Sequence, residues 1–238
     1  MRAYIPVWFT RPLSGEEVRL ARSNGIEPIA HPLISIQFEP VSAILERTSQ
    51  LPEADALLFT SRNAVDAFLA CRVMRSEWLK EKTVYAVGER TALRLSEAGF
   101  DPQYPSERQD GTAVAKMISS DMPDGGVLWH FCAKDKRPEA KEILKETGVE
   151  YHSITTYSTI LLGNAGIPEE PFDAIVFYSP SAVKAFIQNG ITLDADIMVV
   201  SIGNTTAQAL KDAGIEKVTV APKPSTASLV EVIHQLQF

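Results

Sequence analysis

The sequence predicts an α/β protein with doubly wound parallel sheets, and three observations support this prediction. Short apolar runs such as ADALLF and DAIVF alternate with amphipathic stretches such as TALRLSEAGF. The apolar runs are continuous, which is typical of strands that are buried on both faces. The same order of strands and helices also occurs twice, which indicates an internal duplication. Helices that alternate with such strands cover both faces of a parallel sheet.

The duplication is visible as three pairs of similar segments in the same order. The pairs are FTSRNAVDAF with FYSPSAVKAF, VYAVGERTALRLSEAGF with VVSIGNTTAQALKDAGI, and TAVAKMI with ASLVEVI. The first pair is 118 positions apart (177 − 59) and the other two are 115 apart (199 − 84 and 227 − 112). The opening VWFTRPLSGEEVRLARSNGIEP is matched in the same way by VLWHFCAKDKRPEAKEILKETGVEY. Each member of a pair is an apolar strand, a loop and an amphipathic helix, so the chain holds four such units and then the same four again.

Two arrangements of domains are compatible with this duplication. Repetition alone places one boundary near residue 120. However, LISIQFEP and SITTYST fall outside the strand and helix pattern, and their β-branched content predicts extended connectors. If the connectors pair, the first strand–helix unit of each half joins the last three units of the other half. The domains are then 1–32 plus 164–238 and 40–152, and residues 33–39 and 153–163 form a connecting ladder.

Composition and charge exclude several classes of function. The formal net charge of −7 argues against a surface for nucleic acid or anionic membrane, because Lys and Arg neutralise such phosphate-rich partners. No stretch approaches the roughly 20 apolar residues that a membrane helix needs, and the first residues lack a signal-peptide pattern. Cys71 and Cys132 stand alone, and the four histidines show no HExxH spacing. We therefore expect a cytoplasmic protein without a metal site or membrane contact.

The loops after the strands are the predicted binding positions, because ligands of open parallel sheets lie beyond the carboxyl ends of the strands. Helices begin there, and their free N–H groups can bind carboxylates or phosphates. Ser61 and Ser179 are also expected to cap the helices that follow. For any single loop, a cap alone is the simpler interpretation. The substrate-binding candidates are Thr60, Ser61, Arg62, Gly88, Thr91, Tyr178, Ser179, Ser181, Gly203, Thr205 and Thr206.

Gly88 and Gly203 occupy matching positions in the loops VGERT and IGNTT. We expect each glycine to let the backbone turn sharply after its strand, so that hydroxyls and helix amides face one crevice. Neither loop has the GxxxxGK[ST] or GxGxxG pattern, so we expect no nucleotide or flavin cofactor.

Tyrosines are the remaining candidates for a general acid. No Ser/His/Asp context, nucleophile elbow or carboxylate pair is present in the sequence. Tyr157 lies in the second connector and Tyr178 in a strand-end loop. For each, the alternative is a packed aromatic ring with a satisfied hydroxyl.

The motifs together resemble the uroporphyrinogen-III synthase family. The matching segments are LLFTSRNAVDAF, VYAVGERTA, SITTYST, VFYSPSAVKAF, SIGNTTAQAL and PKPSTASLVEVI, and the opening IPVWFTRP and PLISIQFEP also fit. The resemblance implies two flavodoxin-like domains joined by a two-stranded antiparallel ladder, which favours the exchanged arrangement. It also implies that no cofactor is needed.

The resemblance further implies a reaction and roles for residues. The substrate is hydroxymethylbilane, which loses water, passes through a spirocyclic pyrrolenine and closes to uroporphyrinogen III with ring D inverted. Tyr157 matches the tyrosine that assists the departing hydroxyl, and the strand-end hydroxyls match those that hold acetate and propionate groups. Basic contacts from the first loop depend on Arg62, whose position is shifted from the family's Ser-Pro-Arg. A monomer and a transient contact with hydroxymethylbilane synthase are further expectations.

Two alternatives without catalysis remain at this point. One is a two-domain module that binds small molecules, and the other is a regulatory domain of the same fold. Formation of uroporphyrinogen III from hydroxymethylbilane would distinguish the enzyme from both.

Overall fold

The computed structural model describes residues 4–71, 81–122, 124–163 and 166–235. The strands are β1 (Ile5–Phe9), β2 (Ile26–Ala30), β3 (Ile34–Phe38), β4 (Ala56–Phe59), β5 (Thr83–Ala86), β6 (Pro102–Gln103), β7 (Val127–Ala133), β8 (Glu150–Leu161), β9 (Ala174–Phe177), β10 (Met198–Ser201) and β11 (Thr219–Val220). The helices are α1 (Gly15–Ser23), α2 (Val41–Ser49), α3 (Arg62–Ala70), α4 (Glu89–Ser96), α5 (Gly111–Asp121), α6 (Glu139–Lys145), α7 (Pro180–Gln188), α8 (Asn204–Asp212) and α9 (Thr226–Gln235). No helix in these ranges is long and apolar enough to cross a membrane.

The chain divides into two compact units. Unit 1 contains Met1–Ser35 and Ile160–Phe238, and unit 2 contains Ile36–Thr159. The sheet of unit 1 has the order β11-β10-β9-β1-β2, and its paired strands are parallel. Read from the other edge, the order is β2-β1-β9-β10-β11. If these five strands are numbered along the chain, this is the order 2-1-3-4-5 of flavodoxin-like sheets. The predicted α/β class with parallel sheets is confirmed.

The sheet that contains the strands of unit 2 repeats this order with one added strand, and residues 34–35 of β3 and 160–161 of β8 belong to unit 1. Its strand order is β3-β8-β7-β4-β5-β6, and strands β4 to β8 pair in parallel. If β7 is counted as the first strand, β8-β7-β4-β5-β6 is again 2-1-3-4-5. The edge strand β3 runs antiparallel to β8, because the Leu162 N–H donates to the Leu33 carbonyl and the Glu39 N–H to the Thr156 carbonyl. The predicted connectors are therefore both strands of this sheet.

Separate apolar clusters cover the two faces of each sheet. On one face of unit 2, the Phe59 and Phe131 rings stack at 5.1 Å, and Phe68 meets Phe131 edge-on at 5.0 Å. On the other face, Leu58 and Leu128 pack among residues of α5 and α6. The alternation of side chains along each buried strand supplies both clusters, as continuous apolar runs predict.

Ser61 and Ser179 begin equivalent helices in the two units. Both have φ −161° and ψ 156°, and their Oγ atoms accept hydrogen bonds from the amides of Ala64 (3.1 Å) and Ala182 (3.2 Å). The caps that the sequence predicts at these positions are confirmed. The duplication is thus preserved at the level of backbone dihedral angles.

The same substitution in the core and on the surface of unit 2 should have very different effects on stability. Leu57 in β4 is fully buried, whereas Leu93 in α4 is 62% exposed. We expect Leu57→Ala to lower the free energy of unfolding by about 2–5 kcal/mol, because it leaves a cavity. Leu93→Ala should change it by less than about 0.5 kcal/mol. Denaturant unfolding measures both, and equal losses would contradict the assignment of the core.

Candidate active site

The loop after β4 holds three of the predicted site residues, at the carboxyl end of a central strand of unit 2. Thr60 follows β4 directly, Ser61 caps α3, and Arg62 is its exposed first residue. Tyr157 of β8 lies beside this loop, and the side chains of Ser61 and Asn63 are close enough to its hydroxyl to lower the pKa of the phenol. The structure therefore brings Tyr157 together with Ser61, although 96 residues (157 − 61) separate them in the sequence.

A β-bulge determines which face of the sheet carries Tyr157. Cys132 of β7 pairs with Thr155, but Ala133 pairs with Tyr157, so Thr156 is an extra residue in β8. Thr156 Oγ1 donates a hydrogen bond to the Cys132 carbonyl (3.1 Å). Regular alternation would place residues three apart on opposite faces, whereas Ile154 and Tyr157 share one apolar cluster.

The environment of Tyr157 keeps its phenol protonated. Burial raises the pKa of Tyr157, and Ser61 and Asn63 offset this rise only in part. The side chain is 8% exposed, and its ring lies 6.5 Å from the ring of Phe38. A protonated phenol with two neighbours that stabilise its anion is chemically suited to donate a hydrogen bond or a proton.

A second chain of polar groups reaches the same loop from the opposite face of the sheet. Thr60 Oγ1 lies 2.9 Å from His130 Nε2, and His130 Nδ1 lies 2.5 Å from the Tyr151 hydroxyl. Burial and, to a smaller extent, Lys136 lower the pKa of His130 to about 3. The sequence analysis did not select His130 or Tyr151. The available signal was one histidine inside the apolar strand VLWHFCA.

The reason predicted for Gly88 and Gly203 is wrong. Their φ angles are 178° and 176°, which is extended backbone and not a conformation that favours glycine. At Gly88 the reason is space, because an added Cβ would lie 2.5 Å from Oε1 of Gln109. The same oxygen accepts a hydrogen bond from the Glu89 amide (3.1 Å), so a side chain of the protein already occupies part of the N-terminus of α4.

The matching loop in unit 1 is open. An added Cβ at Gly203 would meet nothing within 4 Å, and its helix α8 has no side-chain cap. At the offset of 115, Pro224 stands where unit 2 has Gln109, and it has no amide group for this role. Nearby, the Ser201 hydroxyl is the one buried side-chain polar atom without a partner in the described ranges. Leaving such a group unsatisfied costs about 1–3 kcal/mol, but Ser201 is fully buried, so its hydroxyl does not face a ligand directly.

The remaining predicted residues differ in how accessible they are. Thr91 and Thr206, the third residues of α4 and α8, are buried. Thr205 is exposed, and Ser179 and Ser181 are partly exposed at the start of α7. Direct contact with a ligand is therefore easier for Thr205 than for Thr91 or Thr206.

Tyr178 belongs to a polar cluster in unit 1 that the sequence analysis did not identify. The Arg11 guanidinium lies 4.1 Å from the Tyr178 ring centroid and forms an ion pair with Glu17. Arg11 also donates to Thr226 Oγ1 (2.9 Å), which donates to Glu17 (2.6 Å). The Tyr178 hydroxyl lies 3.4 Å from Thr226 Oγ1. These contacts hold Tyr178 beside its strand end.

Glu17 is ionised over a wide pH range because of this cluster. Burial alone would raise the pKa of Glu17, but the hydrogen bonds from Arg11, Thr226 and the Ser14 amide lower it to about 2. Ser14 and Glu17 also form a capping box at the start of α1. The carboxylate therefore connects the start of α1 to the start of α9.

Comparison with known proteins identifies the family. The model of the family described as uroporphyrinogen-III synthase HemD matches residues 16–231, which is most of the chain. The chain belongs to the uroporphyrinogen-III synthase family. Members of this family act on hydroxymethylbilane in tetrapyrrole biosynthesis.

Individual members of the uroporphyrinogen-III synthase family resemble the chain over nearly its full length. Uroporphyrinogen-III synthase of Saccharomyces cerevisiae is 26% identical, with 96% of this chain and 94% of the yeast protein covered. A putative uroporphyrinogen-III synthase of Methanothermobacter thermautotrophicus is 24% identical, with 88% and 90% covered.

Two solved structures of the family share the fold. A mutant uroporphyrinogen III synthase of the extremely thermophilic bacterium Thermus thermophilus has a TM-score of 0.69 at 20% identity, and 98% of this chain and 99% of that chain are covered. The uroporphyrinogen-III synthetase of Helicobacter pylori has a TM-score of 0.68 at 23% identity with the same coverage.

The lowered pKa of Glu17 leads to a prediction about stability at acid pH. At pH above about 4.5, Glu17 is ionised in the folded and unfolded states, and its stabilising contribution is complete. As the pH falls from about 4.5 to about 2, the unfolded state takes up the proton first, so this contribution is lost. We expect Glu17→Gln to lower the thermal midpoint at pH 7 and to weaken its dependence on pH below about 5. The exposed neighbour Glu16, changed to Gln, is the control, and an equal effect of both variants would contradict the prediction.

Proposed function

We propose that the chain converts hydroxymethylbilane to uroporphyrinogen III, and that Tyr157 assists the loss of the hydroxyl group. The observation that carries this proposal is the buried Tyr157 phenol beside a strand-end loop, where Ser61 and Asn63 lower the pKa of the phenol. Membership of the family supplies the reaction, and the geometry supports the role of this residue.

The proposed chemistry begins with cleavage of the C–O bond of the hydroxymethyl group. The lone pair of the pyrrole nitrogen supplies the electrons, and Tyr157 donates its proton to the departing oxygen, so that water leaves, the N-protonated azafulvene cation forms and Tyr157 becomes a phenolate. The substituted carbon of ring D then attacks the azafulvene carbon and forms the spirocyclic pyrrolenine. The old bond to ring D then breaks, and a new bond forms at the other α-carbon of ring D, which inverts this ring. Loss of one proton from that carbon restores aromaticity.

Ser61 and Asn63 have a specific part in this proposal. As Tyr157 gives up its proton, negative charge develops on the phenol oxygen in a poorly solvated position. Ser61 and Asn63 favour that charged form, because both lower the pKa of Tyr157, whereas burial raises it. Donors that are already in place stabilise developing charge without reorganisation during the reaction.

The acetate and propionate groups of the substrate require several anion-binding positions. We assign this role to the strand-end hydroxyls and helix amides, with the start of α8 as the principal position in unit 1. The open space at Gly203 and the exposed Thr205 support this choice. The start of α4 contributes less, because Gln109 already binds the Glu89 amide.

A cytoplasmic, cofactor-free monomer that transiently contacts hydroxymethylbilane synthase remains a prediction. Sedimentation of the purified protein, alone and with that synthase, tests the oligomeric state and the contact. Incubation with hydroxymethylbilane tests the activity, since a binding or regulatory module would leave only the spontaneous isomer I.

Removal of the Tyr157 hydroxyl should slow turnover strongly. A positioned general acid contributes about 10²–10⁴-fold, so we expect Tyr157→Phe to lower kcat by that range while KM changes little. The bilane also closes unaided to isomer I. The ratio of isomer III to isomer I, measured by chromatography of the oxidised products, should therefore fall.

Tyr178→Phe is the matched control for this substitution. It removes a hydroxyl whose hydrogen bond to Thr226 is 3.4 Å long, and it leaves the ring beneath Arg11. We expect it to retain most of the rate and the isomer purity. Full activity of Tyr157→Phe would show that substrate folding, and not this acid, carries the catalysis.

The two glycine loops should differ in their effect on substrate binding. Thr205→Ala removes an exposed hydroxyl at the start of α8, and we expect KM to rise about tenfold, as loss of a hydrogen bond to a charged group predicts. Gln109→Ala at the start of α4 should change KM by less than about twofold, because that helix end is assigned no principal contact. Steady-state kinetics measures both, and a larger effect of Gln109→Ala would reverse the assignment.

A further inference from the structure

Thr60, His130 and Tyr151 form a buried polar chain in unit 2 whose role the reaction above does not explain. The two contacts are 2.9 Å and 2.5 Å long, and His130 is 2% exposed. In the described part of the chain, His130 is the hydrogen-bond partner of both hydroxyls. The outer end is Thr60, which is partly exposed in the strand-end loop.

The duplication provides an internal comparison for this chain. Thr60 corresponds to Tyr178 at the offset of 118. In the strand pairing, Leu58 lies opposite His130 in unit 2, and Val176, which matches Leu58, lies opposite Phe9 in unit 1. Phe9 therefore occupies the position of His130.

The same comparison extends to Tyr151. Leu128 lies opposite Tyr151 in unit 2, and its counterpart Val7 lies opposite Pro28 in unit 1. The two positions behind the strand-end loop are thus Phe9 and Pro28 in one unit and His130 and Tyr151 in the other. Phe9 packs in an apolar core, so the same sheet architecture in unit 1 forms without polar groups at these positions.

The chemistry of the three groups favours one direction for their hydrogen bonds. A neutral imidazole donates from one nitrogen and accepts at the other. A phenol is a better donor than an aliphatic hydroxyl, because its oxygen lone pairs are partly delocalised into the ring. The Tyr151 hydroxyl therefore donates to Nδ1, and Nε2–H donates to Thr60 Oγ1. The hydroxyl proton of Thr60 is then directed away from His130.

The protonation states are compatible with this direction. Burial raises the pKa of Tyr151, so the phenol keeps the proton that it donates. Burial and Lys136 lower the pKa of His130 to about 3, so the imidazole stays neutral at physiological pH. Each group in the chain then has one defined role as donor or acceptor.

We propose that Tyr151 and His130 are positioning residues, which hold the Thr60 hydroxyl as a hydrogen-bond donor for a carboxylate of the substrate. This inference depends on the proposed function for its ligand, and it adds a specific orientation to one of the predicted binding residues. A free hydroxyl samples three rotamers, whereas the Nε2–H bond to Thr60 Oγ1 leaves its proton for the ligand. His130 acts only through Thr60 and does not itself contact substrate.

The tautomer of His130 tests the inference without any ligand. In ¹⁵N-detected spectra of the folded protein, we expect Nε2 to carry the proton and Nδ1 to be an unprotonated acceptor. Tyr151→Phe should weaken this preference because Nδ1 loses its donor. A proton on Nδ1 in the unmodified protein would overturn the proposal.

A double-mutant cycle with hydroxymethylbilane tests the coupling. Thr60→Val should raise KM about tenfold with little change in kcat, because it removes a hydrogen bond to a charged group. His130→Phe, which introduces the residue that unit 1 has at this position, should raise KM by a smaller factor. The double variant should match Thr60→Val alone, since His130 acts through that hydroxyl. A merely structural role would multiply the two effects, and that result would overturn the proposal.

Controls separate this inference from folding and from the proposed function. Circular dichroism and thermal unfolding report whether His130→Phe folds, and His130→Gln, which can donate from its amide to Thr60, should restore part of the lost affinity. If His130→Phe does not fold, the tautomer of His130 in the unmodified protein and in Tyr151→Phe decides the question. Failure of the unmodified protein to form isomer III would count against the proposed function. Multiplicative effects of the two substitutions in an active enzyme would count only against the positioning role of Tyr151 and His130.

Discussion

The parallel pairing of β4 with β7 and β5 is the constraint on which the rest of the site in unit 2 depends. This pairing makes β4 a central strand, with β7 on one side and β5 on the other. The loop of Thr60 and Ser61 therefore follows the carboxyl end of a central strand. The stacked rings of Phe59 and Phe131 lock this pairing from within the core. A shift of one residue would turn every side chain of β4 to the other face, so the core and the loop share a single register.

This loop is held from both faces of its sheet. On one face, Tyr157 lies next to Ser61, and on the other His130 contacts Thr60. The contact with Ser61 depends on the bulge at Thr156, which places Tyr157 on the same face as Ile154. Regular alternation would place Tyr157 on the opposite face. A polar loop fixed at adjacent residues from opposite sides has little freedom to reorganise, which would suit the substrate-binding role that we propose for it.

The duplicated units keep the same backbone and have diverged in their polar side chains. Their helix caps at Ser61 and Ser179 share the same dihedral angles. By contrast, the Gln109 side chain binds the start of α4, whereas Pro224 at the matching position has no amide that could bind the start of α8. The scaffold is therefore preserved by packing, while the polar side chains at the strand ends differ between the units.

The sequence by itself determined the α/β class, the positions of most strands and helices and the caps at Ser61 and Ser179, because these follow from local periodicity and from the internal repeat. Only the tertiary structure decided which polar groups meet. Thr226 and Glu17 are 209 residues apart, and Thr60 and His130 are 70 apart, so their contacts depend on strand order and register. The requirement for glycine at position 88 also comes from a distant residue, because the Gln109 side chain leaves no space for a Cβ there, whereas the backbone conformation does not favour glycine. Local patterns carry no information about such long-range neighbours, which is why His130, Tyr151 and Arg11 became candidates only in the folded protein.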